Sequence, residues 1–217
     1  MTELGGIRTA EAADNVFSDR IEAAQLAKLD KVKNEAVRLK IANAIVLCDP
    51  DNVFVNTASD EDRQFIKNLS LEKGEEKALP MKDHTIHFDL KDEQGRIIDR
   101  TFYISNEGEE VSSLGNKMDR SEACEDIKDK MSGIMKGKLM MIGFYLRGPV
   151  GAPASNPAVE ISSSTYVLHS ADILYRNVYS DFDREVENLG HFFTNIHSEG
   201  LNRTEDLLNA RVFMDRS

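Results

Sequence analysis

The 217-residue sequence lacks the marks of a protein that works on nucleic acid, in a membrane or outside the cell. Basic residues are in deficit: 27 Lys and Arg stand against 38 Asp and Glu, a formal charge of −11. Duplex binding needs a basic footprint to displace counterions, so no nucleic-acid partner is expected. A small anionic ligand stays open, because a few arginines in a pocket override the net field. Cysteine is scarce as well. Cys48 and Cys124 give neither a disulfide framework nor a metal-ligand spacing, and read as reduced, packed thiols of an intracellular protein. The longest apolar run is far too short for a membrane span, and the amino-terminal MTELGGIRTAEAADN has neither the basic start nor the apolar core of a secretory signal. The expectation is a cytoplasmic chain. Also missing are Gly-x-x-x-x-Gly-Lys-Ser/Thr, Gly-x-Gly-x-x-Gly, His-Glu-x-x-His and Gly-x-Ser-x-Gly, so no familiar phosphate cradle, zinc helix or nucleophile elbow is written in the chain.

What is present is an ordinary globular composition, 41% hydrophobic and 30% charged, long enough for one sizeable core. Residues 1–17 are small and polar and read as a loose lead-in. Ser18 caps a helix carrying Ile21, Leu26, Leu29, Val32, Val37 and Ile41. Residues 44–47 read as a short buried strand ending in the turn Cys48-Asp49-Pro50-Asp51-Asn52. Ser59 and Asp62 form a capping box for a helix that buries Phe65, Ile66 and Leu69 and stops near Gly74. Residues 85–90 alternate as a half-exposed strand, and with a second strand over 96–105 they make a possible hairpin. Asp119 and Glu122 cap a third helix with Ala123, Ile127, Met131 and Ile134 on its apolar side. Residues 139–146 form a nearly unbroken apolar run, the pattern of a strand buried on both faces. The rigid Gly148-Pro149-Val150-Gly151 turn follows, and then two short apolar segments, AVEI and TYVL, read as return strands. Ser180 and Asp183 start a last helix with Val186, Leu189, Phe193 and Ile196, and residues 207–217 are strand-like. Helices and strands alternate without an internal repeat, so the expected fold is one α/β domain over 1–217, a mixed β-sheet flanked by helices.

Candidate chemistry is sparse. His84 and His87 fall on opposite faces of a strand, and His191 and His197 on opposite faces of the expected last helix, so neither pair makes a joint metal site. Carboxylates abound, but nothing in their spacing selects a catalytic pair. The residues to weigh are two arginines beside glycines, Arg96 and Arg147, because a guanidinium on a turn can fork onto a carboxylate or phosphate with two parallel hydrogen bonds. For each, the competing reading is a surface or structural arginine.

A resemblance adds to this. The segment MKGKLMMIGFYLRGPVGAPASNPAVEISSSTYVLHSADILYR resembles the amino-terminal lobe of GTP-dependent phosphoenolpyruvate carboxykinase, through Gly148-Pro149-Val150-Gly151-Ala152-Pro153, Glu160-Ile161, Ser164, Tyr166-Val167, Ser170, Ile173 and Arg176. Ile45 to Asp49, Gly95-Arg96-Ile97-Ile98-Asp99-Arg100-Thr101-Phe102 and Asn116-Lys117-Met118-Asp119 are similar to further stretches of that family in the same order. The resemblance implies the family's N-terminal-domain fold and a gluconeogenic lyase that converts oxaloacetate and GTP to phosphoenolpyruvate, CO2 and GDP with manganese and magnesium. It implies that Arg96 grips the substrate carboxylate. The nucleotide- and metal-binding parts, and the Tyr-Gly-Gly loop, are expected in a C-terminal domain that this sequence does not contain, so the chain alone is expected to be inactive. It reads as an isolated lobe whose partners are oxaloacetate or phosphoenolpyruvate and its own C-terminal domain. Ile98, Ala152 and Lys117 stand where the family has glutamate, serine and tryptophan. The alternative is a free-standing, non-enzymatic module of the same fold that binds a dicarboxylate or a protein.

Overall fold

The structure, a computed structural model, describes residues 1–88, 98–106, 108–110, 113, 115–199 and 209–215. Four helices open it: α1 (Thr2–Gly5), α2 (Ala10–Arg20), α3 (Ala23–Leu29) and α4 (Glu35–Cys48). The segment expected to be a loose lead-in is therefore ordered. Thr9 caps α2 by accepting the Ala12 N–H, and Ala13 and Phe17 are fully buried. The buried Asn43 amide brackets the backbone of Ile7 with two 2.9 Å hydrogen bonds. The single helix expected from Ser18 is in fact three, because Ile21 is extended and Asn34 starts α4 with a side-chain cap on the Val37 N–H.

The strand expected at 44–47 lies inside α4. Ile41, Ala42, Ala44, Ile45 and Leu47 are all buried, and a helix packed on most sides leaves the same short apolar run as a buried strand. The chain leaves α4 through Asp49 at φ 50 and only then enters β1 (Asn52–Asn56). Next come α5 (Asp60–Glu72), capped by Ser59 on the Asp62 N–H as expected, β2 (Lys77–Ala78) and β3 (Thr85–Ile86). Beyond residues 89–97 lie β4 (Thr101–Ser105), β5 (Asn116–Asp119) and α6 (Arg120–Met131), whose cap is Asp119. Then follow β6 (Leu139–Arg147), β7 (Asn156–Ser162), α7 (Thr165–Leu174), β8 (Arg176–Asn177), α8 (Phe182–Leu189), β9 (Phe193–His197) and β10 (Val212–Met214).

Three expectations give way here. TYVL belongs to α7, because Ser164 accepts the Val167 N–H and so starts a helix where a strand was read. The last helix stops at Gly190 in the left-handed region, which frees Phe193 and Ile196 to enter β9. The hairpin expected between 85–90 and 96–105 falls partly on residues 89–97, outside the described residues; within the described parts other pairings are made, β3 antiparallel to β2 and β4 parallel to both β5 and β10.

The main sheet runs β1-β6-β7-β9 and is mixed: β1 with β6 and β7 with β9 are parallel, and β6 with β7 is antiparallel. β8 pairs with Tyr145 and Leu146, taking over β6 where β1 ends. Helices cover both faces, which is the expected α/β architecture. Val53, Val55, Met140, Ile142, Phe144, Leu146, Val159 and Ile161 pack with α2 and α4 into the larger core. Phe54, Met141 and Tyr145 pack with Ile66 of α5 and with Leu168 and Ala171 of α7 into the smaller. On the outer side of β1, Gln25 accepts the Val55 N–H and Lys28 reaches the Val55 carbonyl, so side chains of α3 satisfy an edge that would otherwise be open.

Candidate functional site

Strand register places Asn56, Gly143, Glu160 and Asn195 in one row across β1, β6, β7 and β9, on the face beneath α7. Gly143 has no side chain, and the Tyr145 ring occupies that space; a Cβ at position 143 would lie 2.4 Å from the ring. The gap brings the phenol of Tyr145 into the row. It donates to Asp172 Oδ1 of α7 at 2.9 Å and accepts from Asn56 Nδ2 at 3.2 Å. Asn56 also donates to both Asp172 oxygens at 3.0 Å. Burial, and then the Asp172 charge, push the Tyr145 phenol well above its ordinary range, so it stays a neutral donor.

On the other side of Tyr145 the row holds an ion pair between the buried Glu160 and the half-exposed Arg147. Glu160 Oε1 accepts from Arg147 Nη2 at 2.9 Å and from Asn195 Nδ2 at 2.6 Å, and the Arg147 guanidinium lies 4.9 Å over the Tyr175 ring. Burial raises the Glu160 carboxyl above its usual range, and the Asn195 and Arg147 contacts oppose but do not cancel it. Of the two arginines weighed in the sequence, Arg147 thus pairs with Glu160 through Nη2, while its buried Nε finds no partner among the described residues.

The amino end of α7 carries a second polar group. Ser162 Oγ accepts the Ser164 N–H, and Glu75 Oε2 accepts from Ser164 Oγ at 2.7 Å and from the Tyr166 N–H at 2.8 Å. A carboxylate from outside the helix therefore sits on the positive end of α7. The His87 ring stacks on Tyr166 with centroids 3.6 Å apart, and its Nδ1 lies 2.5 Å from the Glu75 carbonyl. Glu76, nearly inaccessible, accepts from Ser70 Oγ (2.6 Å), Thr85 Oγ1 (2.5 Å) and His169 Nδ1 (2.7 Å). Burial works to raise the Glu76 carboxyl, but these donors outweigh it and hold it below the usual range. His197 rests its Nδ1 3.1 Å from Ser162 Oγ. His84 turns instead to the Lys82 carbonyl, and His191 to Leu189 and Asn156.

These carboxylates and hydroxyls bond to one another, so chemically the lattice is a clamp. It ties β3 through Thr85, and the His87 that follows it, to α5 and α7, and β3 is the last described strand before residues 89–97. Arg96 falls within 89–97 and lies outside the described residues. Among the described residues no group of three His, Cys, Asp or Glu is placed to hold a metal ion. Nor is any described helix long and apolar enough to cross a membrane. Sequence reading missed Glu75, Glu76, His169 and Asp172 entirely. The one local hint was the Glu-Glu pair directly after the helix stop at Gly74.

Comparison with known proteins decides the family. The model described as phosphoenolpyruvate carboxykinase N-terminal domain matches residues 40–215. The chain belongs to that family. Relatives named phosphoenolpyruvate carboxykinase (GTP) include those of Thermococcus sibiricus, 33% identical over 93% of this chain, and Saccharolobus solfataricus, 33% identical over 87%. That of Pyrococcus abyssi is 35% identical over 88% of this chain. The match takes in 33%, 30% and 31% of these relatives, so the chain spans about a third of their length. The family region contains the whole polar row and the clamp at α7.

Proposed function

We propose that this chain is the substrate-binding lobe of a GTP-dependent phosphoenolpyruvate carboxykinase. The reaction would break the bond between the departing carboxylate and the rest of oxaloacetate, releasing CO2. The enolate left behind would take the terminal phosphoryl group of GTP, giving phosphoenolpyruvate and GDP. The observation that carries this reading is the match over residues 40–215 to the N-terminal domain of that enzyme. Arg96 is the residue assigned to substrate: a bidentate guanidinium would hold one carboxylate of the dicarboxylate and keep the scissile bond oriented while charge develops on the enolate. Nucleotide and metal chemistry is assigned elsewhere. The described residues offer no ligand set for manganese or magnesium, and the sequence has no phosphate loop for GTP. The setting proposed is the cytoplasm, with residues 1–217 acting as one domain that is inactive without the nucleotide-binding part.

Calorimetric titration of the chain with oxalate, a stable dicarboxylate, tests the assignment. Saturable binding is expected, weakened at least tenfold by Arg96→Ala; equal binding by the variant would remove Arg96 from the role. GTP with manganese should give no specific heat, and a tight site for either would count against the division of labour.

A further inference from the structure

The turn after β6 is held from three sides. Arg176 Nη1 donates to the Gly148 carbonyl at 2.9 Å, Ser155 Oγ donates to the Pro149 carbonyl at 2.6 Å, and the Gly151 N–H donates to Glu185 Oε2 at 2.9 Å. The third anchor is unlike the others because it is a charge. Glu185, on α8, is 1% exposed, yet among the described residues only its Oε2 accepts a hydrogen bond. Among the described residues the nearest cation to Oε1 is Arg184 Nη2 at 3.6 Å, beyond hydrogen-bond reach; that side chain is 56% exposed and gives its Nη1 to Asp181 at 2.8 Å. An exposed, shared guanidinium at that distance is a weak counter-ion, whereas a buried carboxylate needs close pairing and several donors to offset its desolvation.

Space for the missing partner lies beside it. Glu185 lines a cavity of about 260 Å³ with Gly151, Pro153, Asn188 and Leu189. We infer that this cavity binds a cationic nitrogen head group, an alkylammonium or alkylguanidinium, paired with Glu185 Oε1. The volume lies below the roughly 300–1,000 Å³ of pockets that enclose a whole drug-sized ligand, so it suits a head group and the first carbons of its stem. Pro153 and Leu189 supply apolar wall for those carbons, and Asn188 completes the lining. A bare divalent cation is a poorer fit, because one carboxylate and one amide fall far short of the oxygen shell it requires. The overall charge of −11 draws cations to the surface. The site uses no residue of the carboxykinase reading and stands whether or not that reading holds.

The cation can arrive as a free small amine or as an Arg side chain of another polypeptide, and both sources can be probed. The Gly151 amide resonance reports on Glu185 directly. Methylguanidinium and Nα-acetyl-arginine methylamide are titrated separately into the full chain, with sodium chloride matching ionic strength. Saturable displacement of the Gly151 resonance is expected. Equal affinity for the two probes identifies a small-molecule site, and tighter binding of the arginine derivative identifies a side-chain socket. Glu185→Gln keeps an acceptor for the Gly151 N–H and should weaken binding at least tenfold. Arg184→Ala removes the competing counter-ion and should tighten it a few-fold, a sign that a merely structural Glu185 would not produce. Should Glu185→Gln prove unfolded, the Arg184→Ala arm decides alone. Shifts that follow ionic strength, or that are the same in Glu185→Gln or Arg184→Ala as in the wild type, overturn the inference.

Discussion

Gly143→Ala is the sharpest probe of the polar row. Position 143 lies in the centre of β6, and an added Cβ would meet Tyr145 Cε2 at 2.4 Å, Cζ at 2.8 Å and the phenol oxygen at 2.8 Å. Tyr145 cannot swing aside, because it is fully buried in the smaller core and packs edge-on against Tyr175. Overpacking a tight core costs about 1–3 kcal/mol. Displacing the ring also strains its hydrogen bond to the Asp172 carboxylate, and bonds to charged groups contribute about 1.5–3 kcal/mol. The two effects overlap, and a total of about 3–4 kcal/mol is expected. At about 2–4 °C per kcal/mol for a chain of this size, the melting temperature should fall by roughly 6–16 °C. Urea denaturation gives the free energy, and a double-mutant cycle gives its origin. Tyr145→Leu removes the atoms that a Cβ would strike, so Gly143→Ala should cost at least 1 kcal/mol less in that background, an estimate in the range of coupling between touching residues. A Gly143→Ala protein within about 0.5 kcal/mol of wild type, the ordinary range for a change that disturbs nothing, would refute the placement of Tyr145 over Gly143.

Other expectations follow from the same contacts. Phe17→Ala should destabilise by about 3–5 kcal/mol, the usual cost for a buried phenylalanine, whereas a loose segment would lose nothing measurable on urea denaturation. The two buried glutamates should respond oppositely to pH. Glu76 has its folded pKa depressed, so its contribution is complete above the unfolded value of about 4.3 and is lost as pH falls through the folded value. The deficit of Glu76→Gln, read from urea midpoints, should therefore shrink on acidification; a constant deficit would contradict the three-donor account. Glu160 has its folded pKa raised, so its contribution is complete below about 4.3 and is lost as pH rises through the folded value. Glu160→Gln should accordingly gain on wild type between acid and neutral pH, and a loss over that interval would mean that Arg147 compensates the charge more fully than burial penalises it.

How much was legible in the sequence depended on how local the cause was. β6, its glycine-proline turn and β7 could be read directly, since a long apolar run broken by Gly148-Pro149 has few other structures open to it. The caps Ser59 and Asp119 were equally local. α4 and α7 were misread in part because short apolar runs such as IANAIV and TYVL fit a buried helix as well as a buried strand, and only packing decides. The polar row was not legible. Asn56 and Asn195 lie 139 positions apart, and only register brings them into line. Arg96 was assigned from resemblance, and its physical environment lies outside the described residues.

The pairing of β6 with strands from such different distances bears on how the chain reaches this fold. Arg147 pairs with Asn156 only 9 positions on, whereas Leu139 pairs with Asn52, 87 positions back. Chain entropy alone makes the second closure about 2 kcal/mol costlier than the first. β6 and β7 should therefore zip early around the glycine-proline turn, and β1 should dock late, carrying α4 against the larger core. Substitutions within β7 would then slow refolding, and substitutions within β1 would mainly speed unfolding. The reverse partition in stopped-flow kinetics would move the nucleus to the amino-terminal helices.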